Sequence, residues 1–335
     1  MQKRWSLSVP VDPFPLGEHG DIVREAWDLG YTDAWSAEID GIDCFTPLAA
    51  VAAVSPMRVG TAIANVFSRG PAVLAQTAAG MAQLAPGRFQ LGIGTGSEVT
   101  VESWNSMAFR KPLTRVRETT AFLRRALAGE RVVFEGETIR VAGFRLQQAP
   151  EQPIPIHIAA LREGMLRLAG EIGDGCIINW LSAEDVRKSV AVVREGAAAA
   201  GRDPASIEIS ARLMVCVDPP SEAADTGMRR TICGYLTVPV YAKFHEWLGR
   251  GEELRDVWDR WAAGDRRSAV AAIPSRTVDA LMPNGSAEER RAHVLRYMDA
   301  GVDTAFFWLF SFETDPAKRR ENVLRAIREM APAAY

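Results

Sequence analysis

The chain has 335 residues, 47% of them hydrophobic and 24% charged, which is the balance of a folded protein able to bury a large core. Its net charge of -3 leaves no basic footprint, so a nucleic-acid partner is not expected.

The opening MQKRWSLSVPVD lacks the long apolar stretch of a signal peptide and already contains the first predicted strand, Trp5 to Val9. A helix follows from about Gly17 to Leu29, closed by Gly30, then a strand over Asp33 to Ala37 and a helix near Pro47 to Val54. The third strand is predicted over Arg58 to Ala64. The next helix carries Val73, Leu74, Ala78, Met81 and Leu84 and ends at Pro86-Gly87. The strand Phe89 to Ile93 runs into Gly94-Thr95-Gly96. After a long loop, Leu113 to Leu127 reads as a helix with Val116, Thr120, Leu123 and Leu127 on one face. Val132 to Ile139 reads as two β-like pieces about a turn, a hairpin insertion near 131–146.

Strand and helix then resume with Ile154 to Ala159, a helix around Gly164 to Ile172, and the strand Cys176 to Asn179. Ser182 with Asp185 caps the helix that ends near Gly201. The seventh strand is Ile207 to Val217, followed by a mostly helical insertion near 219–283. Ser286 and Glu289 form a capping box for a helix to Met298. Val302 to Phe310 is the eighth strand, and Asp315-Pro316 opens the last helix.

Eight continuously apolar strands, each followed by a helix, predict a (β/α)8 TIM barrel with insertions, in the α/β class. We read residues 1–335 as one domain, since no Pro/Ser linker or low-complexity segment divides them. An open doubly wound sheet is the competing arrangement. No run of eighteen apolar residues suggests a membrane span. Cys44, Cys176, Cys216 and Cys233 lie far apart with no CxxC spacing, which argues against a zinc site or a disulfide framework and suits a cytoplasmic setting.

In such a barrel the active site lies at the carboxyl ends of the strands. The predicted ends carry Ser8, Trp35-Ser36-Ala37-Glu38, Ala62 to Asn65, Gly94 to Ser97, His157, Asn179-Trp180 and Trp308. These are small, neutral or aromatic side chains. Paired carboxylates, a metal-ligand cluster or a nucleophile beside a base are missing, so a hydrolase or metalloenzyme is disfavoured. A cofactor that brings its own reactivity would suit such a cup. The glycines at 94 and 96 permit close backbone approach to a ligand, or simply a tight turn. Glu38 reads either as a residue orienting ligand or as an ion-paired acid, His157 as an interior histidine more readily than a catalyst, and Met107 to Pro112 as a lid or a plain connector. Trp35, Phe67, Trp180 and Trp308 read as an apolar pocket wall or as core.

Three stretches carry a family resemblance: Gly60 to Pro71 (GTAIANVFSRGP), Gly87 to Gly96 (GRFQLGIGTG) and Leu168 to Gly175 (LAGEIGDG). Their order and spacing resemble the bacterial-luciferase-like monooxygenase superfamily, in particular its coenzyme F420-dependent, methylene-tetrahydromethanopterin reductase-like branch. The likeness covers nearly the whole chain. It implies a non-prolyl cis peptide at Ala62–Ile63 backing the deazaflavin ring. It also implies ring contacts from Glu38, Thr95 and Gly96, further cofactor contacts from Ser36, Asn65 and Asn179, and a phosphate loop over Ala159 to Gly164 that binds through Ala160, Leu161 and Arg162, with Trp180 beside Asn179 lining the same pocket. Glu38 is the candidate catalytic residue, and no metal is expected. Three positions depart from the pattern. Ile39 stands where many relatives have histidine, Ser97 stands where some have glutamate, and Leu161-Arg162-Glu163-Gly164 replaces a Gly/Pro loop. The resemblance therefore implies an F420-dependent oxidoreductase with a homodimer as the usual assembly, and the apolar wall of Trp35, Phe67, Trp180 and Trp308 suggests an apolar or conjugated small-molecule substrate. The alternatives are an FMN-dependent two-component monooxygenase and a non-catalytic flavin- or deazaflavin-binding protein.

Overall fold

The computed structural model describes residues 3–332; Met1 and Gln2 of the opening stretch, and residues 333–335, lie outside it. In chain order come β1 (Arg4–Ser8), α1 (His19–Asp28), β2 (Asp33–Ser36), α2 (Thr46–Val54), β3 (Arg58–Thr61), β4 (Ala64–Asn65) and α3 (Pro71–Leu84). Next are β5 (Phe89–Gly94), α4 (Pro112–Leu127), β6 (Val132–Glu135), β7 (Arg140–Phe144), β8 (Ile156–Ala159), α5 (Glu163–Ile172), β9 (Gly175–Asn179) and α6 (Ala183–Ala199). The chain continues through β10 (Glu208–Cys216) and five helices: α7 (Glu222–Leu236), α8 (Pro239–Leu248), α9 (Gly251–Ala262), α10 (Arg266–Ala271) and α11 (Ser275–Leu281). It finishes with α12 (Ala287–Asp299), β11 (Thr304–Phe310) and α13 (Pro316–Glu329).

The long sheet runs β3-β2-β1-β11-β10-β9-β8-β5-β4, and β3 also pairs with β5, so the ring closes. Every neighbour in it is parallel. This is the (β/α)8 barrel. An open sheet is ruled out by the β3–β5 seam.

That seam is unusual. The strand predicted to run from Arg58 to Ala64 stops at Thr61 and restarts as β4 at Ala64, with a cis peptide at Ala62–Ile63 between the pieces. Across the gap the Thr61 hydroxyl replaces the main-chain ladder: its Oγ1 donates to the Gly92 carbonyl at 2.7 Å and accepts from the Gly92 N–H at 2.9 Å. Only glycine fits opposite, because a Cβ on residue 92 would stand 1.9 Å from the Thr61 carbonyl oxygen. The second strand of the hairpin begins beyond the pieces predicted over 132–139. The amides of Glu137, Thr138 and Ile139 donate to the Glu118 carboxylate of α4 at 2.6, 2.8 and 3.2 Å, so they cannot join a ladder. The second strand therefore starts at Arg140.

Alternate residues of each strand face the bore. At its amino end Arg58 forks onto Glu208 at 2.8 and 2.6 Å and also bonds Asp33, while Thr304 donates to Glu208 at 2.5 Å. Above this network Trp35 stacks on Phe306 (5.3 Å between centroids, 19° between planes) and meets His157 edge-on at 5.5 Å. Gly60 makes room: a Cβ there would lie 2.5 Å from the Trp35 ring. The lower and middle bore are thus filled by protein, as a packed barrel should be.

Helices α7–α11 sit over the carboxyl ends of β9 and β10 with their own apolar cluster, including Ile232, Leu236, Leu254 and Val257, which encloses Trp180, Met214 and Cys216 of the barrel. Tyr297 of α12 ties this cover down by donating to the carbonyls of Leu181 (2.7 Å) and Ala280 (3.2 Å). Among the described residues no helix is long and apolar enough to cross a membrane. The four cysteines are buried and unbonded.

Candidate functional site

At the strand tips one half of the ring is braced by side-chain hydrogen bonds. The braced half is β2–β5. Glu38 follows β2 and is engaged by Arg69, whose Nε lies 3.0 and 3.1 Å from its two oxygens and whose Nη2 lies 2.5 Å from Oε1. The Asn65 amide donates to the same carboxylate at 3.3 Å. Burial alone would lower the Arg69 guanidinium's proton affinity, but Glu38 and Asp43 reverse this and raise it. Its face also lies over Phe45, 4.7 Å from the ring centroid.

Asn65 is equally occupied. Its Nδ2 donates to the Thr95 carbonyl at 3.2 Å, and its Oδ1 accepts from the Phe67 and Ser68 amides at 2.8 and 3.3 Å. Gly96 has φ +62°, and a Cβ there would be 2.4 Å from Asn65 Nδ2. Glycine at 96 is therefore required by the protein's own backbone and by Asn65, before any ligand is considered. Thr95 donates to the Gly96 carbonyl at 3.2 Å, and the Ser36 hydroxyl donates to the Cys44 carbonyl, fastening the loop that carries Glu38 and the half-buried Ile39. Together these residues hold the tips of β2, β4 and β5 in one fixed arrangement.

On that brace sits a small apolar shelf. Ala62 is 8% exposed and the Ile63 side chain is half-buried. A Cβ on Gly94 would lie 2.9 Å from Ile63 Cγ1 and 3.1 Å from the Ala159 Cβ, so Ile63, Gly94 and Ala159 lie side by side. The Trp35–Phe306 stack and Ile177 underlie the shelf. Beside it α5 begins with Arg162 at its N-cap and no side-chain cap, in contrast to α6, where Ser182 and Asp185 bond reciprocally. The first-turn amides of α5 are thus uncapped, next to Ala160, Leu161 and an exposed Arg162. Glu163 is drawn off by Arg167 at 3.0 Å, which lessens its opposition to an anion there.

The predicted aromatic wall is only partly assembled. Trp35 is 1% exposed and belongs to the bore beneath the shelf. Phe67 packs against Phe109 (5.0 Å) and Arg115, towards the 97–111 connector. Trp180, in the left-handed region at φ 52°, is 2% exposed and lies on Tyr235 of α7 at 4.3 Å. Trp308 alone of the four stays half-exposed, with Arg212 5.0 Å from its ring centroid. His157 is an interior residue: its Nε2 lies 3.3 Å from Gln90, and burial pushes its pKa down. In the connector, Trp104 and Met107 are exposed and Phe109 docks on Phe67.

Three neighbouring residues escaped the sequence reading: Arg212 of β10, Tyr235 of α7 and Tyr241 of α8. Arg212 had a signal, since Glu208, Ser210 and Arg212 are polar at every second position of an otherwise apolar strand. The tyrosines had none, because only the folding of the insertion over the barrel brings them there. Two cavities, of about 180 Å³ by Cys216, Asp218 and Asn284 and about 370 Å³ by Gly129 and Arg145, lie away from Ile63, Gly96 and Asn179.

Comparisons with known proteins show the family and agree with the barrel fold. The sequence profile of the luciferase-like monooxygenase family matches residues 3–304. A 5,10-methylenetetrahydromethanopterin reductase of Methanolobus tindarius is 26% identical over 298 residues, 88% of this chain and 90% of that one. An F420-dependent glucose-6-phosphate dehydrogenase of Kineococcus radiotolerans is 30% identical, over 81% of this chain and 86% of its own. Among solved structures, the coenzyme F420-dependent tetrahydromethanopterin reductase of Methanopyrus kandleri superposes with a TM-score of 0.81 at 19% identity, covering 99% and 98% of the two chains.

Proposed function

The chain belongs to the luciferase-like monooxygenase family, and from that premise we propose that it is a coenzyme F420-dependent oxidoreductase acting on a small organic molecule. The observation that carries this reading is the shelf of Ile63, Gly94 and Ala159 above a sealed bore, beside the uncapped start of α5. It offers a flat apolar support for a ring next to amides and a cation suited to a phosphate.

When bound, the deazaflavin supplies a hydride donor or acceptor at its C5 carbon. The protein's part is positioning and exclusion of water. Ala62 and Ile63 would support one ring face, while the Thr61–Gly92 pair keeps that segment fixed. Thr95 and Gly96 would line the ring edge, held by Asn65. Glu38 orients the tip of β4 through Arg69 and the Asn65 amide, and Ser36 secures its loop. Arg162, with the amides around Ala160 and Leu161, would hold the phosphate. Asn179 would contact the cofactor, and Trp308 would line the substrate pocket. With Ile39 where many relatives have histidine, that position supplies no base. The same proposal includes a single-domain chain acting in the cytoplasm as a homodimer; sedimentation of the purified protein tests the dimer.

Titrating the purified protein with F420 and, separately, FMN decides the cofactor. Saturable F420 binding with weak or no FMN binding is expected. The reverse order would replace this reading with the two-component monooxygenase.

A further inference from the structure

Among the described residues, Arg212 of β10 lacks the carboxylate partner that Arg58 in the bore and Arg69 at the strand tips have. Arg58 holds Asp33 and Glu208, and Arg69 holds Glu38. Arg212 is 7% exposed, its Nε has no hydrogen-bond partner, and no described carboxylate or carbonyl accepts from its other nitrogens. Its face-on contact with Trp308, 5.0 Å from the centroid, offsets part of the desolvation of a buried cation. It does not supply the hydrogen-bond acceptors that a guanidinium fork ordinarily takes.

The surroundings say what is missing. In register, Arg212 lies between Asn179 of β9 and Phe306 of β11, at the level where the filled bore gives way to the insertion. Tyr235 and Tyr241 interact electrostatically with it, and Tyr241 also lies against the Asn179 side chain. Burial keeps both phenols protonated, so they present donors. Tyr235 stacks on Trp180 at 4.3 Å and meets Tyr241 edge-on at 5.5 Å, while Trp308 packs on Phe310 at 4.9 Å. Asp40, the acid that faces Tyr235, is exposed and makes no pair with Arg212. Cation, phenols and a carboxamide thus converge between aromatic surfaces, two strands round the ring from Ala159.

We propose that Arg212 is the recognition point for the carboxylate of a flat, conjugated substrate, whose apolar body lies along Trp308 towards the Ile63 shelf. The inference rests on the F420-oxidoreductase reading for its substrate role, and it assigns the substrate class that reading leaves open. A single guanidinium fork among aromatic rings matches a monoanionic carboxylate on a planar body. A sugar phosphate, with two charges and many hydroxyls, would find one cation and few acceptors.

The test uses trans-cinnamate as probe, with cinnamyl alcohol and glucose 6-phosphate as controls, read by tryptophan fluorescence on cofactor-free and F420-loaded protein. F420 affinity is measured separately. Cinnamate should bind saturably, and Arg212→Met should weaken it at least about tenfold while leaving cinnamyl alcohol and F420 affinity unchanged. Arg212→Lys, which keeps the charge but loses the fork, should fall between and guards against misfolding of the methionine variant. Equal cinnamate affinity in wild type and both variants overturns the proposal, as does absence of cinnamate binding to the wild type. Preference for glucose 6-phosphate would make the site a phosphate pocket, and loss of F420 alone would make Arg212 a cofactor ligand; either result also overturns it. Failure of F420 to bind the wild type, with cinnamate binding intact, would instead refute the cofactor assignment.

Discussion

Replacing Glu208 by glutamine tests the division between a structural lower bore and a functional upper one. Burial would raise the Glu208 carboxyl pKa, but bonds from Arg58 and Thr304 and the nearby His157 outweigh burial and bring it to about 2, against an ordinary 4.5. At about 1.4 kcal/mol per tenfold change in proton affinity, the fold favours the carboxylate by ~3 kcal/mol. Its side chain is 14% exposed, so solvent screening discounts this little. Glutamine removes that charge and leaves Asp33 as the carboxylate paired with Arg58, and a loss of about 2–4 kcal/mol at neutral pH is expected. Because the folded pKa lies below the unfolded one, the contribution is complete above about pH 4.5 and fades as pH falls towards 2. Urea unfolding followed by tryptophan fluorescence at neutral pH and at steps down to about pH 3 should show the two proteins converging in acid. F420 affinity at neutral pH should be unchanged, since Glu208 lies beneath the Trp35–Phe306 stack. An unchanged urea midpoint at neutral pH, or a gap that stays constant into acid, would refute the reasoning.

Gly92→Ala should destabilise the barrel by about 2–3 kcal/mol, because its methyl meets the Thr61 carbonyl at the seam; an unshifted thermal midpoint would contradict the seam argument. Glu38→Gln should loosen the Arg69 brace and weaken F420 binding by about tenfold, with little change in global unfolding. Wild-type affinity would make the brace irrelevant to the cofactor. Arg162→Ala should weaken F420 binding about fivefold in dilute buffer and much less at about 0.5 M salt, as expected for an exposed charge; salt-independent loss would place Arg162 elsewhere.

Chain order and period settled much of this molecule in advance. Short, mostly apolar runs such as Phe89–Ile93 and Cys176–Ile178, bounded by turn residues and alternating with helical patterns, read as strands covered on both faces, and the caps at Ser182, Ser286 and Asp315 mark helix starts through contacts within a few residues. Both signals are local, so a linear reading captures them. Residues 60–71 and 87–96 likewise carried the family resemblance. The break between β3 and β4 depended on Thr61 meeting Gly92, thirty-one residues on, and the start of β7 depended on Glu118 taking three amides of the hairpin turn. Whether an aromatic at a strand tip became wall or core was decided by what closed over it. Trp35 found space at Gly60, Trp180 was covered by α7, and Trp308 was left beside Arg212. Such outcomes belong to tertiary structure because burial and counter-ion pairing are properties of segments far apart in the chain. The sequence displays Arg212 as one charge among many; only the fold shows that no acid among the described residues pairs with it.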